Sequence, residues 1–195
     1  MPRIYTRTGD RGETGLCDGS RTAKSDQRVD LYGEVDELNS ALGVVRAQLA
    51  ACDSCAELQA DLLAIQSDLF EMGALLADPP RSARLTDAGP AELGVDGPGL
   101  EPVIDRLEAP LAPLRSFILP GGDPAAAALH LARTVCRRAE RKAVAARGDG
   151  LAVPGGVLIY LNRLSDLLFV AARRVNHDRG VDDVIWPGRR GPAAR

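Results

Sequence analysis

Five cations stand within one short stretch of the chain, Arg133, Arg137, Arg138, Arg141 and Lys142, with Glu140 among them. Arg137 follows Arg133 by four residues, and Glu140 and Arg141 follow Arg137 by three and four. In a helix that spacing puts Arg133, Arg137, Glu140 and Arg141 on one face. Like charges this close repel unless solvent or an anion screens them. Guanidinium forks match phosphate oxygens in pairs, so a polyphosphate is the anion that the pattern suits. A solvated basic face and a nucleic-acid contact are the alternatives. The net charge of −3 and the lack of interleaved aromatics speak against nucleic acid.

A second candidate is the N-terminal string Thr6-Arg7-Thr8-Gly9-Asp10-Arg11-Gly12-Glu13-Thr14-Gly15. Its glycines allow tight turns and close backbone approach to a ligand. Successive N–H groups in such a loop can cradle an anion, and Asp10 could hold a magnesium ion or its water shell. No Walker pattern is present, and a plain glycine-rich turn is the alternative. Asn162 and Asp166 lie one turn apart in an otherwise apolar stretch, where burial without partners is costly. They could meet the arginines, a ligand or only a neighbouring helix. Tyr32, Asp36 and Asn39 form a polar stripe beside an apolar seam. Phe117 precedes Leu119-Pro120-Gly121-Gly122, a rigid turn on which a large apolar residue is either core or a wedge in a pocket.

The elements that must position these residues read as helices. Leu31, Val35, Leu38, Leu42, Val45 and Leu49 recur in steps of four and three. Leu58, Leu62, Ile65, Leu69, Met72 and Leu76 do the same, with Ser54 and Glu57 as a capping box at the start. Residues 79–98, rich in proline and glycine, are expected to be a connecting loop. A short helix is expected with Val103, Ile104, Leu107 and Leu111 on one side, limited by Pro110 and Pro113. Asp123 and Pro124 are a cap and first-turn pair for a fourth helix running to about Arg147. A fifth begins near Pro154–Gly156 and runs to about Asp178. The expected fold is all-α: a bundle of four long helices and one short one over residues 30–178. One domain spans 1–195, with an N-terminal segment over 1–28 and a disordered tail over 187–195.

Composition agrees with this. Apolar residues are 45% and charged residues 26%, as in globular proteins, and aromatics are only 4%. The N-terminus lacks the apolar core of a signal peptide, and uninterrupted apolar runs are short. A cytoplasmic address without membrane attachment is the expectation. On that basis Cys52 and Cys55, a C-x-x-C pair without further zinc ligands at suitable spacing, are expected to be reduced thiols.

The strings YTRTGDRGETG, YGEVDELNSALG, SFILPGG, ARTVCRRAER and YLNRLSDLLFVAARR stand in the order found in the PduO-type ATP:cob(I)alamin adenosyltransferases. The chain resembles that family over about residues 3–175. The resemblance implies a ferritin-like, five-helix bundle assembled as a homotrimer, with ATP, its magnesium ion and cobalamin held between subunits. Thr6, Arg7, Thr8, Gly9, Thr14 and Lys24 would contact ATP from one subunit, and Arg137, Arg138, Glu140, Arg141 and Asn162 from its neighbour. Asp36 and Arg133 match a pair that joins site and interface. Phe117 matches the residue filling the lower face of the corrin, and Trp186 is placed to close that site. A reductase and an adenosylcobalamin-dependent mutase are the implied partners. A nucleotide-binding regulator or corrinoid chaperone would share the same binding residues without turnover.

Overall fold

The computed structural model describes residues 4, 5, 7–50, 52–95, 97 and 99–188. A two-stranded antiparallel hairpin, β1 (Glu13–Gly15) and β2 (Arg21–Ala23), pairs Thr14 with Thr22. Seven helices follow among the described residues: α1 (Gln27–Leu49), α2 (Ala56–Leu76), α3 (Pro79–Arg84), α4 (Pro90–Leu93), α5 (Leu100–Glu108), α6 (Pro124–Gly148) and α7 (Gly155–Asp178). The four long helices form an all-α bundle in which α1 packs on α2 and α6, α6 packs on α7, and α5 covers α7. The hydroxyl of Tyr160 on α7 donates to Asp68 on α2 across 2.9 Å, a buried tie that closes the ring.

The seams are those of the apolar periodicity. Leu31, Val35, Leu38, Leu42, Val45 and Leu49 are all buried, as are Leu58, Leu62, Ile65, Leu69, Met72 and Leu76. On α6 the buried seam is mostly small: Ala125, Leu129, Ala132, Cys136, Ala139, Ala143 and Ala146. Small side chains let α1 and α7 approach this helix closely, so its polar face stays near both. The buried apolar residues form one cluster. α7 is long and apolar enough to cross a bilayer, yet 61% of its most apolar window is buried in the bundle. It is read as the central core helix.

Local signals fix several ends. Asp26 caps α1 by accepting from the Arg28 N–H at 2.8 Å, and Asp123 caps α6 by accepting from the Ala125 N–H at 2.8 Å. Arg28, itself buried, donates to the Leu76 carbonyl at 2.6 Å and so finishes α2.

Three expectations are corrected. Residues 79–98 are not a plain loop. Asp78 accepts from the Arg81 N–H and starts α3, Glu92 reaches back to the Gly89 N–H at the start of α4, and a proline opens each helix. The Ser54–Glu57 capping box does not form: Cys55 takes the cap position, and Glu57 is drawn to Arg106 at 3.6 Å. Cys52 and Cys55 are not thiols but a disulfide. A 3-10 turn over Asp53–Cys55 stacks residues three apart, and the two Cα atoms sit 5.3 Å from each other, within bridging range. Cys17 and Cys136 remain free.

Candidate active site

The basic stretch of α6 divides between two neighbouring helices. Arg138 and Lys142 turn to α1. Arg138 donates to Glu34 at 2.6 Å and to Glu37, and Lys142 bonds Asp30 at 2.6 Å and Glu34 at 2.7 Å. Glu34 is only 8% exposed. Burial pushes its carboxyl up, but the hydrogen bonds from Lys142 and Arg138 outweigh that and hold it below the usual glutamate range. These two cations therefore brace α1 against α6.

Arg137 and Arg141 lie on the other side of the same helix. Both are exposed, and among the described residues neither makes an ion pair or hydrogen bond through its side chain. Glu140 stands between them and accepts from the Asn162 amide on α7 at 3.0 Å. Asn162 and Asp166 are exposed rather than buried. Asp166 pairs with Arg163 at 3.0 Å and so is not joined to the arginines of α6. The result is two free guanidiniums flanking a carboxylate fixed by an amide. Exposed like charges so close together suit a bound polyanion.

The N-terminal segment is folded as a compact hairpin. Gly12, at φ +82°, turns the chain, and its N–H donates to the Gly9 carbonyl at 3.1 Å. The Lys24 N–H returns to the Gly12 carbonyl at 2.8 Å, and the Lys24 ammonium lies 3.2 Å from where a Gly9 side chain would begin. Gly9 therefore lets Lys24 lie across the loop. Arg21 donates to the Thr8 carbonyl at 2.8 Å, and Arg7 sits over the Tyr5 ring in the left-handed region, at φ +61°. That backbone is strained for a non-glycine residue, a state typical of ligand-contacting loops. Thr6 lies outside the described residues. The Cys17 N–H anchors the hairpin to the Ala77 carbonyl at the end of α2.

Asp36 lines a groove between α1 and α2 with Tyr32, Asn39 and the exposed Phe70. Arg133 is on α6 and faces α7, with its guanidinium 5.9 Å from the Phe169 ring centre. Within one chain the hairpin and Asp36 thus belong to the α1–α2 side, and Arg133, Arg137 and Arg141 to the α6–α7 side.

Phe117 is 78% exposed, on the turn before α6. The chain after α7 returns to this turn. The Leu119 N–H donates to the Val184 carbonyl at 2.8 Å, the Trp186 N–H donates to the Phe117 carbonyl at 2.8 Å, and Ile118 pairs with Ile185. Trp186 and Phe117 meet edge to face with ring centres 6.3 Å apart. Of the tail expected over 187–195, residues 189–195 lie outside the described residues.

The residue that holds this turn was not singled out from sequence. Asn176, buried on α7, donates to the Gly121 carbonyl at 3.1 Å and accepts from the Asp123 N–H at 2.9 Å. A side chain on Gly122, at φ +100°, would start 2.2 Å from the Asn176 amide oxygen. Gly122→Ala is expected to destabilise the protein by about 3 kcal/mol, through backbone strain and loss of the Asn176 bonds. Urea unfolding checks this; a change in midpoint no larger than that of an exposed alanine substitution would show the turn is free to relax. The glycine pair was visible in the sequence, but its partner is 54 residues away and carried no local signal.

A family model described as cobalamin adenosyltransferase matches residues 4–175. The chain is 44% identical over 186 residues to the corrinoid adenosyltransferase of Bacillus subtilis, covering 94% of this chain and 92% of that protein. It is 46% identical over 197 residues to the corrinoid adenosyltransferase of Mycobacterium leprae, covering 96% and 97%. Among solved structures, a variant of the PduO-type ATP:corrinoid adenosyltransferase from Lactobacillus reuteri, complexed with cobalamin and ATP, superposes with a TM-score of 0.82 at 36% identity, covering 95% of this chain and 97% of that one.

Proposed function

The chain belongs to the cobalamin adenosyltransferase family, and we infer that it transfers the 5′-deoxyadenosyl group of ATP to the cobalt of cob(I)alamin. The products are adenosylcobalamin and triphosphate. Cobalt(I) attacks C5′ with its electron pair, a Co–C bond forms, and the C5′–O bond breaks with its electrons leaving on triphosphate. No proton need move in that step, so the protein's work is positioning and stabilisation of the leaving charge. The observation that carries this reading is the pair of free guanidiniums, Arg137 and Arg141, flanking the fixed Glu140.

The geometry supports the following roles. Arg137 and Arg141 receive the triphosphate, and Glu140, oriented by Asn162, offers an acceptor to the nucleotide. Arg138 acts indirectly, by holding α6 against α1. Arg7, Thr8, Gly9, Thr14 and Lys24 close over ATP from the hairpin, and the same reading assigns Thr6 to ATP. The hairpin with Asp36 and the arginines with Arg133 sit on different sides of the bundle, which supports a homotrimer whose sites combine one side from each of two subunits. Phe117 and Trp186 form an aromatic wall for the lower face of the corrin. Among the described residues no three carboxylate, histidine or cysteine side chains converge on a metal position. A magnesium ion would be held through the triphosphate, with Asp10 of the hairpin as the carboxylate that would hold it or its water shell. Its positive charge would supply further stabilisation of the leaving group. The setting is taken as cytoplasmic, with a reductase supplying cobalt(I) and a mutase receiving the product.

An anaerobic absorbance assay tests the reaction. Cob(I)alamin, ATP and magnesium are mixed with the protein, and the cob(I)alamin band is expected to give way to the adenosylcobalamin spectrum with stoichiometric triphosphate. Retained ATP binding with no turnover would favour a regulator or chaperone instead.

A further inference from the structure

His130 sits one turn before Arg133 on α6 and is 3% exposed. Among the described residues neither of its ring nitrogens has a hydrogen-bond partner. Its ring meets Phe169 of α7 edge to face with ring centres 5.9 Å apart, and the Arg133 guanidinium lies 5.9 Å from the same Phe169 ring centre. Two more buried polar atoms are also unpaired: Arg133 Nε, on the next turn of α6, and Asp183 Oδ1, on the residue bonded to Arg173 one turn beyond Phe169 on α7. Asp183 precedes the Val184–Trp186 segment paired with the Phe117 turn, and its other oxygen accepts from the buried Arg173 at 2.9 Å. Burial, then the charge of Arg133, lowers the proton affinity of His130, while Asp183 works in the opposite direction.

Four unpaired buried atoms on residues that meet Phe169 or Arg173 would be costly if they stayed unpaired, and a phenylalanine at 130 would avoid half of that cost. Their chemistry is complementary. Arg133 Nε–H is a donor, Asp183 Oδ1 is an acceptor, and a neutral imidazole has one N–H and one lone pair. We propose that His130 is a positioning residue for adenosyl transfer: in the loaded enzyme Arg133 Nε–H donates to one imidazole nitrogen and the other imidazole N–H donates to Asp183. This relay ties the site arginine to Asp183, Arg173 and the segment that carries Trp186 beside Phe117. It couples the phosphate side of the site to the corrin side through a group that touches neither substrate. The inference rests on the proposed role of Arg133.

The test compares wild type, His130→Phe and His130→Gln. Phenylalanine keeps the ring contact with Phe169 and removes both nitrogens; glutamine keeps one donor and one acceptor. His130→Phe is expected to melt at the same or a higher temperature, to keep the KM for ATP, and to lose about tenfold in kcat, the effect of one lost hydrogen bond. His130→Gln is expected to regain most of that loss. A purely structural histidine would give a kcat that follows the melting temperature and no rescue. Imidazole nitrogen NMR of the wild-type protein provides a readout free of turnover, since the chain has only two histidines. With ATP and aquacobalamin bound, His130 is expected in one fixed tautomer with one protonated and one accepting nitrogen. Wild-type kcat in His130→Phe, or an averaged tautomer in the loaded protein, overturns the relay. Full turnover in Arg133→Ala would instead overturn the role of Arg133 itself.

Discussion

Arg137→Ala lowers kcat for adenosyl transfer by about two to three orders of magnitude, the cost of removing one preorganised donor from a developing anion, and leaves the melting temperature unchanged. The two halves of this expectation come from the same fact. Arg137 is exposed and makes no ion pair or hydrogen bond among the described residues, so the fold does not depend on its charge. Its neighbour Arg138 is the opposite case. It is bonded to Glu34 and Glu37 on α1, so its truncation leaves the buried Glu34 short of a partner and lowers stability. Arg137→Lys keeps the charge but loses the fork and is expected to fall between wild type and alanine. Anaerobic steady-state kinetics beside thermal melts decide the matter. Wild-type kcat in Arg137→Ala would remove the arginine from the triphosphate, and a parallel loss of stability would mean that its role is structural.

Phe117→Ala is expected to bind ATP with unchanged affinity and to lose adenosylation, about a hundredfold when the reaction starts from cobalt(II). With preformed cobalt(I) the loss is smaller. Reduction to cobalt(I) is easier when the lower axial ligand is gone, and a ring that fills the vacated face keeps water from replacing it. Phe117 is free to do this because its side chain contributes little to the core, while its backbone is held on both sides. The Phe117 carbonyl accepts from Trp186, the Leu119 N–H donates to Val184, and Asn176 donates to the Gly121 carbonyl that follows. The truncation therefore removes the wedge without unseating the turn. Parallel assays from the two oxidation states, with ATP binding measured by calorimetry, give the comparison. Equal wild-type rates from both states would refute the wedge, and weakened ATP binding would show that Phe117 acts on the nucleotide side.

The four long helices are legible in the sequence alone, because each carries an apolar stripe at helical period and one, α6, also begins at a cap readable from its residues. Asp123-Pro124 marked the first turn of α6, and the seam of α7 was visible from Leu158 to Val175. It also placed Arg133, Arg137, Glu140 and Arg141 on one helix, since helical spacing is a local property. What it did not determine is which groups stand opposite a given face. Asp30, Glu34 and Glu37, which engage Lys142 and Arg138, lie about a hundred residues earlier in the chain. Only packing of α1 on α6 separates the bracing cations from the free ones. The same holds for the Val184–Trp186 segment on the Phe117 turn and for the contact of His130 with Phe169. Residues 79–98 misled for a different reason: prolines that break a helix interior also start helices, and Pro79 and Pro90 do so here. Cys52 and Cys55 were joined by a backbone turn that composition does not reveal. Periodicity reports the face a residue occupies, whereas the partner of that face is set by non-local contacts, and the chemistry of this site depends on which charges those contacts leave free.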